Sequence, residues 1–149
     1  SRPMDRDHAR VIGKELQLAL SSPEHSLYFH GTSMLPFLRE GDLVVVRPVA
    51  WRDLSCGDIV TYRHGERFPT RRIFSKRADR LILHCDGWKY LHFYAHRDDI
   101  LGRVEARLRD NRWISTSDPE WRKSARRAIL HAWWRSLRGR FRPAVGHIQ

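Results

Sequence analysis

A serine set between a short apolar strand and a proline-closed turn is the residue of this chain best suited to chemistry. Ser33 lies in Gly31-Thr32-Ser33-Met34-Leu35-Pro36, after the apolar stretch Ser26–Phe29 and before Gly41-Asp42-Leu43-Val44-Val45-Val46. A free serine hydroxyl is a poor nucleophile: it needs a base close by and hydrogen-bond donors for the oxyanion that its attack creates. The backbone N–H of Ser33 is one expected donor. Two residues earlier stands Gly31, which lets substrate and backbone approach closely but adds no side-chain donor. Pro36, three residues on, stops the chain from continuing as a strand.

The elements that must hold this serine are mostly strands. His25–His30, Asp42–Arg47, Asp58–Arg63, Thr70–Ser75, Arg80–Cys85 and Ile100–Arg107 are rich in β-branched and aromatic residues with polar or glycine-containing breaks, and Arg112–Ser115 adds a short one. His64-Gly65-Glu66 predicts a hairpin turn, as does Lys76–Asp79. Gly41-Asp42 and Gly57-Asp58 each launch an apolar strand, which is turn chemistry rather than a repeat. Before the strands, Val11, Ile12, Leu16, Ala19 and Leu20 predict a packing helix over residues 5–22, ended by Ser21-Ser22-Pro23. After them, Ser117-Asp118-Pro119-Glu120 carries helix-start signals, and a helix is expected over 118–139 with a tail over 140–149. One face of that helix gathers Trp121, Ala125, Ala128, Ile129, Ala132, Trp133 and Leu137, and much of the rest is arginine and lysine. The expected fold is therefore a single, mostly β domain: a coiled antiparallel sheet over 25–115, flanked by an N-terminal helix and a basic amphipathic C-terminal helix.

The bulk numbers fit that reading. The chain has 149 residues, enough for one domain with a real core, and 41% hydrophobic and 30% charged residues are globular values. No apolar run approaches the ~20 residues of a membrane-spanning helix, and no leader pattern opens the chain. Cys56 and Cys85 lack closely spaced partners, which argues against a zinc site or a disulfide scaffold and for reduced thiols in a cytoplasmic setting; no metal or cofactor is expected. The net charge is +11, and residues 118–149 carry eight Lys/Arg against two acids. This excess suits an anionic partner, with the 118–139 helix at an anionic membrane surface as one expectation. Nucleic-acid binding is the lesser use of the charge, because no recognisable reader motif surrounds the arginines.

Five boxes in order carry a resemblance. Gly31–Pro36 with Gly41-Asp42 is similar to the nucleophile box of the signal-peptidase and LexA-type serine peptidases. Gly57-Asp58-Ile59-Val60, Thr70-Arg71-Arg72-Ile73, Leu83-His84-Cys85-Asp86-Gly87 and Ile100-Leu101-Gly102-Arg103-Val104 resemble that superfamily's later boxes, so the likeness covers roughly residues 25–107. It implies a coiled β peptidase domain, Ser33 as nucleophile, a peptide substrate contacted by Gly31, Thr32, Met34 and Asp86, and peptide-bond hydrolysis. Signal peptidases of this kind carry a membrane anchor and LexA-type repressors a preceding DNA-binding domain; neither is expected here. The nearest analogue of a self-cleavage bond, Ile12-Gly13, falls within a predicted helix. A stand-alone protein acting on a separate leader-type or unfolded peptide, similar to proteins of bacterial peptide-maturation systems, is the expectation.

The chain departs from the family where the base should be. Family members have lysine or histidine at the position of Arg71, whereas Arg72 matches the family's own arginine. Deprotonating an arginine near pH 7 costs roughly 7–9 kcal/mol, whereas general-base assistance contributes roughly 3–5 kcal/mol. Arg71 therefore does not serve as a lysine would. Three readings stay open. Another residue is the base: His84 would face Arg71 if Phe74 lies opposite Leu81 in a Thr70–Cys85 hairpin, with His30 and His64 as weaker alternatives. Or the scaffold is a pseudo-peptidase whose Arg71 binds a carboxylate. Or Arg71 is itself a substitution in an otherwise active enzyme. Trp88, Tyr90, Phe93 and Tyr94, after the Asp86-Gly87 box, suit either a substrate wall or buried packing.

Overall fold

A computed structural model describes residues 25–87 and 92–138. The predicted helix over 5–22 lies outside the described residues. Among the described residues eight strands form one antiparallel sheet: β1 (His25–Tyr28), β2 (Leu43–Arg47), β3 (Ile59–Tyr62), β4 (Thr70–Lys76), β5 (Arg80–His84), β6 (His92–His96), β7 (Ile100–Arg109) and β8 (Arg112–Ser115). The order across the sheet is β1-β2-β7-β3-β4-β5-β6, with β8 paired to β7. Seven of these strands lie where the alternating sequence predicts them. β6 was not expected as a strand: its Phe93 is buried and paired opposite Leu83, so this aromatic is core rather than substrate wall.

Alternation along each strand divides most apolar residues between two larger clusters, with Leu43, Val45 and Leu108 in a smaller third. Phe29, Met34, Phe37, Leu38, Val44, Val46, Ile59, Val104 and Ile114 form one. Val60, Tyr62, Ile73, Leu81, Leu83, Cys85 and Phe93 form the other. The neighbours Ile59 and Val60 fall in different clusters, as a period of two requires when both faces of a coiled sheet are covered.

The Gly-Asp turns recur as one device. Asp42 accepts the Arg39 N–H on its carboxylate (2.8 Å) and Asp58 accepts that of Ser55 (2.9 Å). In each turn the aspartate N–H returns to the carbonyl of the same residue, at 3.0 and 3.1 Å. The preceding glycines have φ near +90°, where a side chain would be strained. Asp118 makes the same closed turn with Ser115 (2.6 Å), so its carboxylate faces back along the chain rather than capping the helix that follows.

That helix, α1 (Pro119–Arg138), docks through its first turn: the Trp121 ring meets Phe37 edge-on at 4.8 Å. Ala132 is also buried, but Trp133 and Leu137, expected on the same apolar face, are 56% and 71% exposed. The outward side of α1 thus carries Leu130, Trp133, Trp134 and Leu137 among arginines. No helix among the described residues is long and apolar enough to cross a membrane.

Candidate active site

Ser33 sits in the loop that leaves β1, 7% exposed. Its carbonyl accepts the Gly87 N–H at 2.8 Å. Gly87 is required there by space: a Cβ would lie 2.5 Å from the Thr32 carbonyl oxygen and 3.2 Å from those of Ser33 and Leu35. The turn after β5 is therefore pressed directly against the serine loop, which explains why an Asp-Gly pair follows β5.

Ser33 and Arg71 line one groove of about 560 Å³, together with Gly31, Thr32, residues 27–30 at and beyond the end of β1 and the Glu66–Thr70 segment. Gly31 and Thr32 thus border the same groove as Ser33. Arg71, on β4 opposite Val60, is 7% exposed. Its guanidinium lies 4.7 Å from the Phe93 ring centroid, and Nη1 donates to the Thr70 carbonyl at 3.1 Å. The neighbouring thiol of Cys85 is pushed up to about 12 by burial, with Arg71 opposing, so it is an inert core group.

Two expected substrate contacts are corrected. Met34 is fully buried within the first cluster and presents no side chain to a groove ligand. Asp86 is taken up by Arg72: Nε and Nη2 donate to its two carboxylate oxygens at 2.8 and 2.7 Å. Nη1 of Arg72 donates to the Gly57 carbonyl at 2.8 Å, so this buried arginine ties β4 to two turns at once.

His84 does not face Arg71. A bulge in β4 between Ile73 and Ser75 leaves Phe74 without a partner in β5, and His84 pairs with Arg72 instead. Residues directly opposite share a face, so His84 lies on the Arg72 side and lines a different cavity, beneath α1. Burial is the main cause that lowers its pKa to about 4, and His92 beside it is lowered to about 4 for the same first reason. Both are neutral at pH 7.

A pH dependence follows. Unfolded, these two histidines take up protons near pH 6.5; folded, they do so only near 4, so the unfolded chain binds more protons between those values. Stability is full above about pH 6.5 and falls as pH drops toward 4. The urea midpoint is expected to decline from pH 7 to pH 4.5, and more shallowly in His84→Gln with His92→Gln. A midpoint that moves equally in both proteins would assign the acid sensitivity to other groups.

His30 lines the Ser33 groove, which His84 does not. Its Nδ1 lies 3.0 Å from Oε2 of Glu40, and Oε1 of Glu40 accepts the Gly31 N–H at 2.5 Å. Glu40 was missed by the sequence reading. Its signal was weak: an acid directly before a Gly-Asp turn, placed beside His30 by the return of the loop. His64, the other alternative, instead closes the β3–β4 turn through paired backbone hydrogen bonds with Arg67.

A serine on a strand-end loop, braced by the Asp-Gly turn and open to a groove along an edge strand, is the arrangement of a serine-peptidase-like β domain. The chain matches the Peptidase S24-like family over residues 10–104, well over half its length, and belongs to that family. No curated protein matches it significantly.

Proposed function

We propose that this protein binds an extended peptide in the Ser33 groove, as a peptidase-derived binding protein whose Arg71 holds a carboxylate of the ligand. The observation that carries this reading is that Ser33 and Arg71 line the same groove, with the residue at the base position a nearly buried guanidinium. Such a group keeps its charge and presents a planar donor fork suited to a carboxylate. The groove runs along β1, an edge strand that pairs only with β2 among the described strands, and Leu27 and Phe68 expose apolar surface beside it. An edge of this kind accepts an added strand through main-chain hydrogen bonds. A leader-type or unfolded segment is the substrate class, and peptide maturation in the cytoplasm the setting. Fluorescence anisotropy with a panel of extended peptides tests it. Binding without cleavage, weakened at least tenfold in Arg71→Gln, is the expected result; cleavage abolished by Ser33→Ala would overturn it.

One observation favours a second reading, an active serine hydrolase. The His30–Glu40 pair borders the same groove, and a carboxylate that orients an imidazole is the supporting half of a catalytic triad. On that reading His30→Ala and Ser33→Ala both abolish turnover of a peptide ester, whereas Arg71→Gln alters mainly KM. Turnover that survives His30→Ala would eliminate it.

A further inference from the structure

We propose that the cavity between the sheet and α1 is a second binding site, one for the phosphate group of a small molecule or a lipid headgroup. The cavity measures about 570 Å³ and is separate from the Ser33 groove, with no lining residue in common. Its volume suits a ligand larger than a bare ion. Five cations line it against two acids.

Much of that charge is uncommitted. Asp86 belongs to Arg72, and Arg109 is held by Asp42 through Nε at 2.8 Å and Nη2 at 2.6 Å. Once those two pairs are set aside, Arg107, Lys123, Arg127 and Arg135 face the cavity with Glu120 as the remaining acid. Glu120 is shared: it accepts from Arg107 at 3.3 Å and from the exposed Arg112 at 3.2 Å. A dianionic phosphate would bring the wall close to neutrality, and guanidinium forks match its oxygens geometrically.

Two buried groups in this wall carry nitrogens without a hydrogen-bond partner. His84 is 3% exposed; the Cys85 backbone lies beside its ring, but neither ring nitrogen reaches hydrogen-bond geometry with a protein group. Arg107 is 6% exposed and donates Nη1 to the Phe37 carbonyl at 2.6 Å, but its Nε is unpaired. Leaving such groups unmet costs stability, so a ligand that accepts from them recovers what folding forfeits. A neutral imidazole still offers one N–H to a phosphate oxygen. Burial and the nearby Arg109 push the Arg107 guanidinium below its ordinary value, a pressure that an anion relieves.

The two sources of phosphate differ in what else they touch. A headgroup would arrive with acyl chains, and the outward side of α1 already exposes Leu130, Trp133, Trp134 and Leu137.

The test uses the full chain and three probes: inorganic phosphate, phenyl phosphate, and phosphatidylcholine vesicles containing phosphatidic acid. The His84 ring nitrogen signals are followed by NMR as each probe is added. Saturable binding that moves the His84 signals is expected for at least one probe. Lys123→Gln with Arg127→Gln and Arg135→Gln should weaken it at least tenfold, whereas Arg122→Gln with Arg126→Gln, outside the cavity, should change it less than threefold. Response to phenyl phosphate identifies a soluble ligand; response to vesicles alone identifies a headgroup. No saturable binding of any probe, His84 signals that stay still during binding, or equal weakening by the two sets of substitutions would each overturn the proposal. The wild-type NMR result decides the matter even if the triple variant folds poorly, and it is indifferent to Ser33→Ala, so it stands apart from the function of the groove.

Discussion

Arg71→Lys is expected to convert Ser33 from an inert to a reactive hydroxyl. The position is 7% exposed and shares its groove with Ser33. Burial disfavours an ammonium and lowers a lysine pKa by up to several units, into the range where it takes a proton near neutral pH. The same burial leaves a guanidinium charged, because an arginine starts far more basic than a lysine and desolvation does not overcome that. The difference in general-base assistance is ~10²–10⁴-fold. Labelling by a fluorophosphonate should therefore be slow in the wild type and faster by about 10²-fold or more in Arg71→Lys. It should vanish when Ser33→Ala is added. Equal labelling of wild type and Arg71→Lys, both lost in Ser33→Ala, would mean that a residue other than position 71 takes the proton, and His30 would then be the residue to replace.

The second large effect concerns stability. Asp86→Ala leaves the Arg72 guanidinium, 0% exposed, with the Gly57 carbonyl in place of a bidentate carboxylate and that carbonyl together. Breaking a buried ion pair from one side costs about 3–5 kcal/mol, because the surviving charge stays desolvated and unpaired. For a domain of this size that lowers the melting temperature by roughly 6–20 °C. Replacing both partners by apolar residues, Arg72→Met with Asp86→Leu, should recover much of the loss, since the uncompensated charge is then gone. Calorimetry on the three variants separates the outcomes. A loss below about 1 kcal/mol in Asp86→Ala would show that water reaches the pair. The consequence extends to the groove: Asp86 precedes Gly87, whose N–H holds the Ser33 carbonyl, so loosening the pair should also slacken the serine loop.

These two positions show what a linear reading captures. Arg71 and Arg72 were recognisable together as a base position and a companion arginine, and Arg71 lines one groove with Ser33. That Arg72 is the anchor of the second Gly-Asp turn and of Asp86 was not legible, because its partners lie 14 and 15 residues away across two turns. Met34 illustrates the opposite error. It neighbours the nucleophile in sequence, but the loop turns its side chain into the core, so proximity along the chain did not mean access to the ligand.

The turns, every strand but β6 and the start of α1 were determined by the sequence itself, because glycine at positive φ, aspartate closing a four-residue turn and alternating apolar residues act over a few neighbours. Which histidine shares a groove with the serine was decided only by tertiary structure. One unpaired residue, Phe74, shifts the pairing of β4 with β5 and carries His84 to the face beneath α1, while the returning loop sets Glu40 beside His30 on the groove. A strand's side chains alternate with a period of two, so a single-residue bulge reassigns every group beyond it, and the packing that selects the bulge involves residues distant in the chain.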